Sequence, residues 1–211
     1  MSTSENAPTR GDRWSIAAFS IAGFAIAAWI GVSAVMRIIV LAGGTSVPVS
    51  LEFVDGVSDV ALTDGSATVP VELDSGVLVA PQLTAIAIVP GILGQLALIV
   101  TVVTVVGCLL LLSRSILGGQ VFSRRNTALV TVAGLTGLIG FAAVRFFDNM
   151  LANATVSLMT DNRLATAVLT VEPFTWVLAA FVVAVIATAF SVGDRLQREK
   201  AALEKETEGL V

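Results

Sequence analysis

Arg114-Ser-Ile-Leu-Gly-Gly-Gln-Val-Phe-Ser-Arg-Arg-Asn126 is a charged break between two long apolar runs, and its reading decides the fold. It carries Arg114, Arg124 and Arg125. The apolar runs on either side, residues 89–112 and 128–147, each meet the ~20 residues a helix needs to cross a ~30 Å hydrocarbon core. Lys and Arg concentrate on the cytoplasmic side of membrane proteins. The break therefore reads as a cytoplasmic hinge, residues 113–127, and the sidedness of every other segment follows from it.

Composition agrees with this class. The chain has 211 residues, of which 55% are hydrophobic and 13% charged, with a mean hydropathy of +0.91. That is too apolar for a soluble domain of this length. There is no histidine and one cysteine, Cys108, which lies in an apolar run and reads as a small packing residue. Zinc, haem and iron–sulfur sites lack ligands, so no metal and no cofactor is expected.

Working outward from the hinge, residues 1–13 read as a polar cytoplasmic tail and residues 14–42 as the first span. That span holds an uncharged run of 22 residues from Ser15 to Met36, longer than the ~7–15 residues of a signal-peptide core, which disfavours a cleavable signal. Residues 43–88 change character. Short β-branched runs are separated by Asp55-Gly56, Asp64-Gly65 and Asp74-Ser-Gly76, which are hairpin signals. Apolar residues alternate at Val47, Val49, Leu51 and Phe53 and again at Val69, Val71 and Leu73, the period of a strand with one apolar face. A small antiparallel β-rich insert is expected, bearing Glu52, Asp55, Asp59, Asp64, Glu72 and Asp74 but no Lys or Arg.

Residues 89–112 form the second span, with Pro90 in its first turn. Residues 128–147 form the third, with Ser123 placed to cap its start. Ala133 and Gly137, and Thr136 and Gly140, are small residues four apart, a spacing that lets helices approach closely in lipid. Residues 148–173 read as a second extracytoplasmic loop, in which Ala167 to Val171 leans towards a strand that would join the insert. The loop includes Asn153-Ala-Thr155, which matches the glycosylation acceptor pattern. Residues 174–193 form the fourth span, and residues 194–211 a cytoplasmic helical tail. The expected fold is a membrane all-α bundle of four transmembrane helices with a β-rich extracytoplasmic insert between helices 1 and 2.

Charge distribution tests this topology. The tails and hinge hold Arg10, Arg13, Arg114, Arg124, Arg125, Arg195, Arg198, Lys200 and Lys205, whereas the two outer loops hold only Arg163. Nine against one places both termini in the cytoplasm. Arg37 and Arg145 fall at the outer ends of spans one and three, with Asp148 one turn beyond Arg145. Ionisable groups in a membrane mark functional sites, but at the interface long side chains reach water. The simplest arrangement is an Arg145–Asp148 pair at i, i+3, with Arg37 neutralised by a carboxylate of the insert. In the hinge, Arg114, Arg124 and Arg125 flank Phe122, a basic and aromatic set suited to anionic lipid or an acidic partner. The usual catalytic constellations are missing: no histidine is present to activate a nucleophile, and no phosphate-binding glycine loop ends in a lysine.

Gly119-Gln-Val-Phe122-Ser123 with Asn126, after a span ending at Arg114, resembles the Gly-x-x-Phe-Ser-x-x-Asn signature of the domain-of-unknown-function-2975 family of bacterial membrane proteins. The tail from Phe190 through Gly193, Arg195 and Leu196 to Val211 is similar to that family's ending. The resemblance implies four spans, a large loop after the first and no assigned activity; some members are paired with small helix-turn-helix regulators. It carries no functional residue across, and it does not explain the acidic insert.

Together these readings give an expected function: a non-enzymatic protein of the bacterial inner membrane, in contact with the bilayer and with a membrane or cytoplasmic protein partner, without direct nucleic-acid binding. It would serve as a sensor or regulatory subunit. An accessory structural subunit and a small carrier or immunity-type protein are the alternatives.

Overall fold

The structure, a computed structural model, describes residues 10–61, 68–117, 122–160 and 173–208. Helix α1 (Arg10–Gly43) leads into strands β1 (Thr45–Ala61) and β2 (Thr68–Gln82), followed by helices α2 (Ala85–Leu117), α3 (Arg124–Thr160) and α4 (Pro173–Glu208). All four helices are long and apolar enough to cross a membrane. Their large apolar side chains, among them Trp29, Val103 and Val177, stand exposed along the helices. An apolar surface of that extent suits lipid rather than water.

The described chain divides into two units. A hairpin unit comprises residues 33–98 and 141–172, and a helical unit comprises residues 1–32, 99–140 and 173–211. Helices α1, α2 and α3 each contribute residues to both.

In the hairpin unit, α1 stops where Gly44 takes a positive φ of 65°, the left-handed stop that glycine adopts without a Cβ penalty. The Gly44 amide donates to the Leu41 carbonyl at 3.1 Å, and the Gly44 carbonyl accepts from the Leu83 amide at 2.8 Å. This bond closes the base of the hairpin. The two strands pair antiparallel from Thr45 opposite Gln82 to Ala61 opposite Thr68. Val47, Val49 and Leu51 are buried on alternate positions, as the period of two requires. They join Leu41, Ala80, Leu83, Ala87, Leu151 and Val156 in one apolar core.

The insert is thus one long hairpin rather than several short strands. Register shifts between Glu52 and Gly56, where Glu52 faces Ser75 and Gly56 faces Leu73. Asp55-Gly56 and Asp74-Ser-Gly76 therefore lie across from one another at a bulge, and neither makes a turn. Glycine serves a bulge as well as it serves a turn, which is why the two look alike in sequence. Asp64-Gly65 lies outside the described residues, as do the side chains of Phe53, Val69, Val71 and Leu73.

Several helix boundaries differ from expectation. Helix α2 begins at Ala85, a turn before residue 89, with the Thr84 carbonyl accepting from the amides of Ala87 and Ile88, each at 3.0 Å. Burial of Leu83 and Ala87 draws this start into the core. Pro90 consequently sits inside the helix, beyond its first turn. Helix α3 continues through the expected loop at residues 148–160, because Leu151, Thr155 and Val156 recur at helical spacing and are buried. Thr155 is fully buried and donates to the Leu151 carbonyl at 2.7 Å, so Asn153-Ala-Thr155 is helix interior and not the surface loop a glycosylation acceptor needs. The run Ala167 to Val171 lies outside the described residues. Finally, α4 is continuous from Pro173 to Glu208, so span and tail are one helix.

In the helical unit, Ser123 caps α3. Its hydroxyl accepts from the Asn126 amide at 3.2 Å, and its carbonyl from the Thr127 amide at 3.0 Å. The helix begins at Arg124, so the hinge between helical residues is shorter than residues 113–127. Ser123→Ala is expected to cost about 1 kcal/mol, with Ser123→Asp retaining most of the cap. Thermal unfolding in detergent checks this; an unchanged midpoint for Ser123→Ala would show that the serine does not hold the helix start.

Candidate functional site

Within the hairpin unit, α1, α2, α3, β1 and β2 line a partly open cavity of about 460 Å³. Its apolar side is Val49, Leu51, Leu151 and Val156, which belong to the core. Its polar side is Arg37, Glu52, Gln95, Arg145, Asp148 and Asn149. Two of these are expected to attract anions and two to attract cations, so the local charges balance.

Among the described residues the sheet has two strands, and no third strand pairs with β1; a strand carbonyl without a backbone partner needs a side-chain donor. Arg37 donates to the Pro48 carbonyl on β1. Arg145, on α3, pairs instead with Glu52 at 2.5 Å, 93 positions away in sequence. One expected contact is therefore corrected: Arg145 forms its ion pair with Glu52 of the insert and not with Asp148. The reason is reach. Arg37 is occupied by a backbone carbonyl, and the long Arg145 side chain extends across to the strand. Both arginines still act on the Asp148 carboxylate through space. Because the Arg145 and Glu52 side chains are 45% and 36% exposed, solvent screens the pair to about 0–1 kcal/mol. It can open at little cost.

Asn149 holds a fully buried amide nitrogen with no acceptor among the described residues. A buried donor in that state costs roughly 1–3 kcal/mol until an acceptor reaches it. Neither Asn149 nor Gln95 stood out in sequence. The available signal was a carboxamide within or beside an otherwise apolar run, and the charged neighbours overshadowed it.

The hinge residues gather in the helical unit. Phe122 and Phe190 stand with ring centroids 5.7 Å apart and planes tilted by 59°. A Cβ on Gly193 would meet the Phe122 ring, with Cε1 at 2.6 Å and Cγ at 2.7 Å, so this aromatic lies directly on the α4 backbone. Arg124 lines two shallow grooves with Asp194 and Arg198, while Arg125 lines neither. Arg198 pairs with Asp194, and Arg195 with Glu199 at 2.7 Å. The structure thus brings Phe122 and Arg124 together with α4 and leaves Arg125 exposed outside the grooves. No group of His, Cys, Asp and Glu side chains suited to a metal ion occurs among the described residues.

Comparison with protein-family models, curated proteins and solved structures finds no match.

Proposed function

We propose that this chain is a non-enzymatic, multi-pass protein of a bacterial inner membrane, with both termini cytoplasmic, acting as a sensor or regulatory subunit. The observation that carries this reading is the Arg145–Glu52 ion pair, which ties the hairpin to α3 beside a cavity large enough for a small molecule. A weakly held pair at a cavity is a device a ligand can open, whereas a catalytic site would need a nucleophile or base poised for reaction. Helix α3 is continuous from Arg124 in the hinge to Arg145 in the hairpin unit. The same helix therefore carries both the receiving residue and the hinge cations. The charge count along the chain supports the sidedness, and the hinge residues Gly119, Phe122, Ser123 and Asn126 are the ground for proposing membership of the domain-of-unknown-function-2975 family.

The reading requires a partner at the hinge. Mass spectrometry of proteins that co-purify in mild detergent, compared between wild type and the Arg124→Ala, Arg125→Ala double variant, tests it. Loss of a stoichiometric soluble partner, with the variant still inserted in the membrane, is the expected result. An identical set of co-purifying proteins, or none in either sample, would overturn it.

A further inference from the structure

Resting on the sensor reading of the hairpin unit, we propose that its cavity binds a monoanionic oxyanion group, and that Glu52 is a built-in surrogate that the ligand displaces from Arg145. The charges specify the class. Among the described lining residues Arg37 and Arg145 are positive and Glu52 and Asp148 negative, so the four charges sum to zero. When Glu52 leaves, the cavity carries one net positive charge. A single negative charge restores neutrality; two would overshoot it, at a cost raised by the apolar wall of Val49, Leu51, Leu151 and Val156.

The donors specify an oxyanion. A guanidinium presents N–H groups in a fork that matches a carboxylate or phosphate edge, and Arg145 already holds such an edge in Glu52. Arg37 spends one N–H group on the Pro48 carbonyl, and a guanidinium has five. The buried Asn149 amide nitrogen needs an acceptor oxygen, and Gln95 lines the same space. A carboxylate from the aqueous phase and a phosphodiester from a lipid headgroup share this chemistry. Displacement would free the β1 segment at the bulge, where Glu52 is the last residue before the register shift.

Full-length protein in phosphatidylcholine nanodiscs gives the test, read by calorimetric titration with butyrate and succinate, and by thermal unfolding after replacing part of the lipid with phosphatidylglycerol. Butyrate is expected to bind, and succinate at least threefold more weakly. Glu52→Gln removes the competitor and should tighten butyrate binding about tenfold. Arg145→Gln should abolish binding, and Arg145→Lys, which keeps the charge but loses the fork, should weaken it. Asn149→Ala gives a second loss-of-binding variant should Arg145→Gln fail to fold. If phosphatidylglycerol rather than butyrate gives the Glu52-sensitive response, the class stands and the source is the membrane. The proposal is overturned if Glu52→Gln leaves the response to both probes unchanged, or if Arg145→Lys and Asn149→Ala bind as wild type. Because this readout needs no protein partner, it separates failure of the ligand assignment from failure of the sensor reading.

Discussion

Leu41→Ala is expected to be the most damaging single truncation in the hairpin unit, costing about 2–5 kcal/mol. Leu41 is fully buried near the end of α1, and it belongs to the core that holds β1 and β2 against the helices. Both of its Cδ atoms lie 3.1 Å from where a Cβ on Gly91 would stand, and Leu151 Cδ2 lies 3.2 Å from the same point. The three segments meet there with no spare volume, so the shortened side chain leaves a cavity that its neighbours cannot close. In a membrane environment the transfer contribution shrinks, since lipid is as apolar as leucine. The lost packing remains, which places the effect in the lower half of that range. Ile39→Ala is the comparison, because Ile39 is exposed on the same helix. Chemical unfolding in detergent should separate the two substitutions clearly. Equal destabilisation would show that Leu41 is not a core residue.

Gly140→Ala is expected to cost about 1–3 kcal/mol, despite the roughly 1 kcal/mol that alanine gains over glycine in a helix. A Cβ on Gly140 would run into the Thr101 Oγ1 and would lie 2.5 Å from Thr101 Cγ2 and 2.7 Å from Thr101 Cβ. The obstruction includes an atom fixed to the backbone, so rotating the threonine side chain cannot relieve it and α2 and α3 must separate. Thr101→Ala in the same chain should restore part of the loss, because it removes Oγ1 and Cγ2 but leaves the Cβ. Gly137→Ala is the control. Nothing lies within 4 Å of the position its Cβ would take, so that substitution should be neutral or mildly stabilising. Unfolding midpoints for wild type and the three variants decide the matter; similar values for Gly137→Ala and Gly140→Ala would contradict this close approach.

That pair of glycines shows how far local pattern reaches. The small-residue spacing marks Ala133 with Gly137 and Thr136 with Gly140 equally. Of the two glycines Gly140 is a point of close approach and Gly137 is not, and Gly134, outside both pairs, is another, its Cβ position 2.5 Å from Val183 Cγ1. Which face of an apolar helix meets a neighbour is hidden in such runs, because lipid and protein present similar surfaces and leave little amphipathic signal. The same limit applies to the cavity. Arg37, Arg145 and Asp148 were legible as charges near apolar runs, yet the choice of Glu52 as the partner of Arg145 depends on a fold that brings together residues 93 apart.

The sequence by itself determined what each stretch is locally. Long apolar runs make four membrane-length helices, alternating apolar residues make paired strands, and Ser123 begins α3 with its own hydroxyl. These outcomes depend on residues within a few positions of one another. Tertiary structure decided the rest: that α3 continues to Thr160, that two Gly-containing segments form a bulge and not turns, and that Arg145 reaches Glu52 across a cavity. Each depends on which distant surface supplies the buried contact or the countercharge, and neither hydrophobic period nor turn chemistry carries that information.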